Sequence, residues 1–80
     1  MAKKIILYST QSCSYCVMLK NFLEKHKIEF EYIDVSENQA KAKEMVEKSG
    51  QMGVPVIEID GEIIVGFDKA KISELLGIKE

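Results

Sequence analysis

Two cysteines three residues apart, Cys13 and Cys16, stand where an apolar run ends and a helical pattern begins. That placement constrains the chain more than any other feature. Ile5-Ile6-Leu7-Tyr8 is a continuous β-rich run and predicts a buried strand. From about Cys13 to His26 the periodicity turns helical. Cys16, Leu19 and Leu23 recur at i, i+3 and i+7 with Phe22 beside them, while Lys20, Glu24 and Lys25 fall outside that stripe. The pair therefore straddles a helix start. Residues i and i+3 in a first turn share a face about 5–6 Å apart, within disulfide reach. The exposed N–H groups and positive dipole end of a helix start also favour a thiolate over a thiol.

Helical phase separates two roles. Cys16 aligns with the inward residues and is expected to be shielded, whereas Cys13 at the cap is expected to be exposed and dipole-activated. Cys13 is thus the expected nucleophile and Cys16 the resolving thiol. Metal chemistry fits less well. A zinc site needs two such pairs, or one pair plus His ligands. The one histidine, His26, lies about 15 Å along the helix axis from Cys16. A c-type haem needs His directly after the second Cys, where Val17 stands. No bound metal is expected, and redox chemistry is favoured.

The remaining segments alternate. Glu29-Phe30-Glu31-Tyr32-Ile33 has period two, a half-buried strand. Ser36-Glu37-Asn38-Gln39 fits a capping box, followed by a helix with Ala42, Met45, Val46 and Ser49 inward and Gly50 as its stop. Lys41, Lys43 and Lys48 read as its solvated face, and Glu29, Glu31 and Glu37 as an exposed acidic edge. Met18, Met45 and Met52 read as core and surface filler. Val56 to Ile59 and Glu62 to Val65 are strands joined by Asp60-Gly61, a strong hairpin signal. Asp68 caps a last helix carrying Ile72, Leu75 and Leu76 inward, and Gly77 ends it. The order is β-α-β-α-β-β-α, an α/β chain expected to form a mixed four-stranded sheet flanked by three helices in one domain spanning residues 1–80.

Composition excludes several functions. The 80 residues carry 11 positive charges against 13 negative, and every cation is Lys. A nucleic-acid binder normally shows a basic surplus and Arg, so none is expected as a partner. No apolar run approaches the roughly 20 residues a bilayer needs, so no membrane is expected either. Two Cys are too few for a stapled secreted scaffold. Met1-Ala2-Lys3-Lys4 lacks the features of a signal peptide, which points to the cytoplasm.

Cys13-Ser14-Tyr15-Cys16 after a short strand, Val54-Pro55 before a hairpin, and Gly66-Phe67-Asp68 opening the last helix resemble a glutaredoxin of the thioredoxin superfamily, over nearly the whole chain. The resemblance implies a thioredoxin fold and a monomer with no bound cofactor. Glutathione would be the co-substrate, and disulfide-containing or glutathionylated proteins the partners. It implies a cis Pro55 beside the cysteines, with the Val54 backbone pairing with a bound peptide or glutathione. Gly66, Phe67 and Asp68 would line the glutathione site, Asp68 meeting the α-amino group, and Tyr15 would lean over the cysteines.

Three departures matter. Ser14 stands where the commonest spacer has Pro, adding a hydroxyl able to hydrogen-bond a thiolate. Some relatives with Ser there hold an iron–sulfur cluster between two subunits, a competing reading. Thr10 stands near where many relatives place a Lys for a glutathione carboxylate. Gly66-Phe67-Asp68-Lys69-Ala70-Lys71-Ile72 also resembles the small reductants of ribonucleotide reductase, which take electrons from thioredoxin reductase.

Overall fold

The structure, a computed structural model, describes residues 4–78. The Met1-Ala2-Lys3 segment used in the signal-peptide reading lies outside the described residues. The elements are β1 (Ile5–Ser9), α1 (Ser14–Lys25), β2 (Glu31–Asp34), α2 (Gln39–Ser49), β3 (Val56–Ile59), β4 (Glu62–Val65) and α3 (Lys69–Leu76). The sheet runs β2-β1-β3-β4; β1 is parallel to β2 and antiparallel to β3, and β3 is antiparallel to β4.

Strand β1 is central because it is apolar on both faces. Ile5 and Leu7 join Leu19, Phe22 and Leu23 of α1 and Ile72 of α3 in one buried cluster. Ile6 and Tyr8 join Ile33, Met45 and Val56 on the face covered by α2. Each helix therefore buries one stripe, and the C-terminal end of β1 delivers the chain to α1. The tight hairpin forms as expected. Asp60 (φ 49°) and Gly61 (φ 90°) both take positive φ, as a type I′ turn requires.

Three expectations are corrected. The cap of α2 is Asn38, whose side chain accepts the Lys41 N–H at 3.1 Å. Ser36 instead has its backbone N–H bonded to Asp34 Oδ1 at 2.9 Å and its hydroxyl on the same oxygen. Asp34 competes for the serine and leaves the next polar residue to start the helix. The second strand spans Glu31–Asp34, with Ile33 buried but Tyr32 exposed. β2 is an edge strand, and Lys20 Nζ lies 5.5 Å from the Tyr32 ring centroid.

Lys48 does more than face solvent. Its Nζ donates to Glu58 Oε1 of β3 at 2.7 Å and to Tyr8 Oη of β1 at 3.2 Å. A phenol buried beneath α2 needs a polar partner, and the lysine stem reaches over the apolar surface to supply one.

Candidate active site

Cys13 is the N-cap of α1, with φ −92° and ψ 113°. The turn leading to it is closed by Cys13 N donating to Thr10 O at 3.4 Å. Its sulfur accepts the Cys16 backbone N–H at 3.2 Å, the position a serine or aspartate oxygen usually takes. That N–H and the N-terminal end of α1 both face Cys13 Sγ. The first turn of α1 carries no acidic residue.

Cys16 has the opposite environment. It is 1% exposed. Burial, then a hydrogen bond with the Cys13 side chain, pushes its thiol up to about 12 against the opposing pull of the Thr10 backbone. Both cysteines are free thiols. The dithiol is thus asymmetric: one sulfur is reachable and held by an amide, the other buried and protonated. Cys13 itself is half-buried rather than fully open, because the Val54 loop covers one side of it.

That loop brings in the next residues. Cys13 Sγ lies 3.9 Å from Val54 O. The Val54–Pro55 peptide bond is cis and Pro55 is buried. Pro55 O accepts the Gly66 N–H at 2.8 Å, tying the end of β4 to the same loop. Gly66 has φ 80°, a left-handed conformation in which a side chain would be strained. Two residues on, Asp68 caps α3, its Oδ1 accepting the Lys71 N–H at 3.2 Å. Phe67 stacks obliquely on Phe22 of α1, centroids 5.8 Å apart.

The structure therefore links Cys13, Cys16, Val54, Pro55 and Gly66 by contact, with Phe67 and Asp68 continuing from Gly66. Thr10 is half-buried behind the pair. Ser14 is exposed, and Tyr15 is 61% exposed. His26 packs on Phe22, centroids 4.8 Å apart. Among the described residues, no three His, Cys, Asp or Glu side chains gather to hold a metal ion. No described helix is long and apolar enough to cross a membrane.

One buried residue was not singled out in the sequence. Ser9 is fully buried, and its hydroxyl has no hydrogen-bond partner among the described residues. The signal was there: Ile5, Leu7 and Ser9 share strand parity, so a hydroxyl follows two core aliphatics inward.

Known proteins share this architecture. The glutaredoxin family profile matches residues 5–64. A glutaredoxin-like 8.6 kDa protein from the rubredoxin operon of Clostridium pasteurianum is 44% identical over 72 residues, covering 90% of this chain and 96% of that protein. The glutaredoxin-like protein NrdH of Lactococcus lactis is 34% identical over 74 residues, covering 89% of this chain and 97% of that protein. The crystal structure of methanoredoxin from Methanosarcina acetivorans superposes with a TM-score of 0.85 at 28% identity, covering 94% of this chain and 85% of that one. Fold and relatives together define a thioredoxin-fold thiol–disulfide oxidoreductase. Within that class, the chain belongs to the glutaredoxin family.

Proposed function

We propose that this protein reduces disulfides by a dithiol cycle in which Cys13 attacks and Cys16 resolves. The unequal setting of the two sulfurs carries this reading. Cys13 Sγ accepts an amide hydrogen bond at 3.2 Å, while Cys16 is buried with its thiol pushed up to about 12.

The cycle balances as follows. The Cys13 thiolate attacks one sulfur of a substrate disulfide; a new S–S bond forms, and the other substrate sulfur leaves as a thiolate. Cys16 gives its proton to solvent and attacks Cys13 Sγ, expelling the second substrate thiolate. The substrate has gained two electrons, and the enzyme holds a Cys13–Cys16 disulfide. Substrates are disulfide-containing or glutathionylated proteins, met by a monomer in the cytoplasm.

Glutathione is the proposed donor that restores the dithiol. The left-handed Gly66 and the start of α3 at Asp68 support this, since backbone can approach a ligand there and a helix start suits a carboxylate. A second reading replaces glutathione by thioredoxin reductase. It is favoured by similarity spanning 97% of the Lactococcus NrdH protein, and by a neutral Thr10 beside the cysteines, which offers no cation to a carboxylate.

The test follows NADPH oxidation with a small disulfide substrate. One arm supplies glutathione and glutathione reductase, the other thioredoxin reductase. Turnover in the first arm is expected; turnover only in the second overturns the glutathione reading.

A further inference from the structure

Residues 50–54 carry the chain from the end of α2 to the cis peptide bond beside Cys13. This loop is anchored at its α2 end. The Ser49 hydroxyl lies 2.7 Å from Met45 O and 2.9 Å from Gln51 O, and its oxygen accepts the Gln51 N–H at 3.4 Å. From that anchor the Gln51 carboxamide turns onto Gly53 and clips both of its backbone groups. Gly53 N donates to Gln51 Oε1 at 2.6 Å, and Gln51 Nε2 donates to Gly53 O at 3.0 Å. The fit needs glycine, since a Cβ on residue 53 would stand 2.7 Å from Gln51 Oε1.

Burial does not explain the clip. Gly53 is exposed, so water would serve its N–H and C=O if the side chain lay elsewhere. What the clip occupies is a pairing edge. A residue that gives its N–H and its C=O to a single partner makes the hydrogen-bonded pair of an antiparallel ladder. The carboxamide, with a donor and an acceptor side by side, stands in for an incoming strand. From Val56 onward the backbone is already paired with β1 on one side and β4 on the other, and Pro55 O is held by Gly66. A substrate chain bringing a disulfide to Cys13 meets Val54, whose carbonyl oxygen is 3.9 Å from the Cys13 sulfur. The next backbone it can pair with is Gly53, one Cα step of about 3.8 Å further on.

We propose that Gln51 sets the specificity between small and extended disulfide substrates. Its side chain occupies the Gly53 backbone and must be displaced before a polypeptide flanking the target cysteine pairs there. A small disulfide reaches Cys13 without disturbing it. The assignment rests on attack by Cys13 as proposed above. Gln51 touches no reacting atom and acts through the backbone of Gly53.

The experiment compares two substrates with the same disulfide and leaving group: N-acetylcysteine amide and a short extended peptide with one central Cys, each joined to thionitrobenzoate. Reduced protein is mixed with each in a stopped-flow spectrometer. As Cys13 attacks the substrate cysteine sulfur, a new S–S bond forms and thionitrobenzoate leaves with the electron pair of the broken one. Its release gives a limiting rate and a half-saturating concentration for each substrate. Gln51→Ala removes the clip. Gly53→Ala displaces it by the Cβ contact and keeps the backbone N–H and C=O; Gly53 does not take positive φ, so alanine fits its backbone.

Each variant is expected to lower the half-saturating concentration of the peptide about fivefold, the effect of roughly one hydrogen bond no longer contested, with its limiting rate unchanged. Both constants of the small substrate should stay as in wild type. The Gly53 amide hydrogen should exchange with deuterated water faster in Gln51→Ala than in wild type. Equal exchange overturns the assignment, as do peptide constants equal to wild type in both variants. Equal weakening of both substrates also overturns it, since the clip would then only brace the loop. A Cys13→Ser protein that releases thionitrobenzoate at the wild-type rate overturns the Cys13 reading and this assignment with it. Unchanged Gln51→Ala kinetics beside an inert Cys13→Ser overturn this assignment alone.

Discussion

The Tyr8 hydroxyl donates to Glu44 Oε2 at 2.6 Å, joining the central strand to α2 across an otherwise apolar face. Lys48 completes the arrangement from the same helix, 3.9 Å from the Glu44 carboxylate. The contact holds Glu44 below the usual carboxylate range, the Tyr8 hydrogen bond being the largest cause. The same pairing helps raise Tyr8 above an ordinary tyrosine, behind burial itself. Tyr8→Phe should therefore cost about 1–2 kcal/mol in urea denaturation at neutral pH.

The pH dependence has a definite sign. A carboxylate whose folded pKa is lowered contributes stability above its unfolded value, and that contribution is lost as pH falls through the folded one. Wild type should lose this increment below the ordinary 4.5. Tyr8→Phe removes the largest cause, so its stability should fall less steeply over the same range. Parallel acid limbs for the two proteins would refute the coupling.

The asymmetry of the cysteines predicts unequal alkylation. A thiol pushed up to about 12 stays protonated at pH 7–8, and the thiolate is the reactive form. Iodoacetamide at that pH should label the native reduced protein once, at Cys13. Cys16 should react only after denaturation or in strong base. Peptide mass spectrometry reads the sites; equal labelling of both in the native state contradicts the geometry.

Substitutions should separate the two thiols in turnover. Cys13→Ser should lose all reductase activity, because a serine hydroxyl at the cap is not ionised at neutral pH. Cys16→Ser should lose protein-disulfide reduction by the dithiol route; if glutathione is the donor, it should retain deglutathionylation, a second glutathione taking the resolving role. A dead Cys16→Ser beside an active Cys13→Ser would reverse the assignment.

What could be read in the sequence was local. The Asp60-Gly61 turn, the Gly50 and Gly77 helix stops and the Cys13 cap each depend on a few consecutive residues, and all form. The helical stripe Cys16-Leu19-Leu23 also sufficed to bury one cysteine. The capping box misled because Asp34, two residues upstream, takes both Ser36 donors. Lys48 looked solvated because its partners are remote: Tyr8 lies 40 residues away and Glu58 ten. Only the packing of α2 on the sheet brings the three together. Ser9 shows the same limit. Strand parity points it inward, but that its hydroxyl would find no partner depends on how α1 closes over β1.

Asp68 offers the sharpest separation of structure from recognition. As N-cap it accepts the Lys71 N–H at 3.2 Å, and α3 carries the fully buried Ile72 behind that cap. Asp68→Ala should destabilise by about 1 kcal/mol through the lost cap alone. Asp68→Asn keeps an oxygen acceptor in place and removes only the charge, so its stability should stay close to wild type. If glutathione is the donor and its α-amino group meets this carboxylate, Asp68→Asn should raise the KM for glutathione roughly tenfold with little change in kcat, the effect of losing one charged hydrogen-bond acceptor. Titrating glutathione at saturating glutathione reductase measures that KM. An unchanged KM in a fully folded Asp68→Asn protein would confine Asp68 to capping and remove it from the glutathione site.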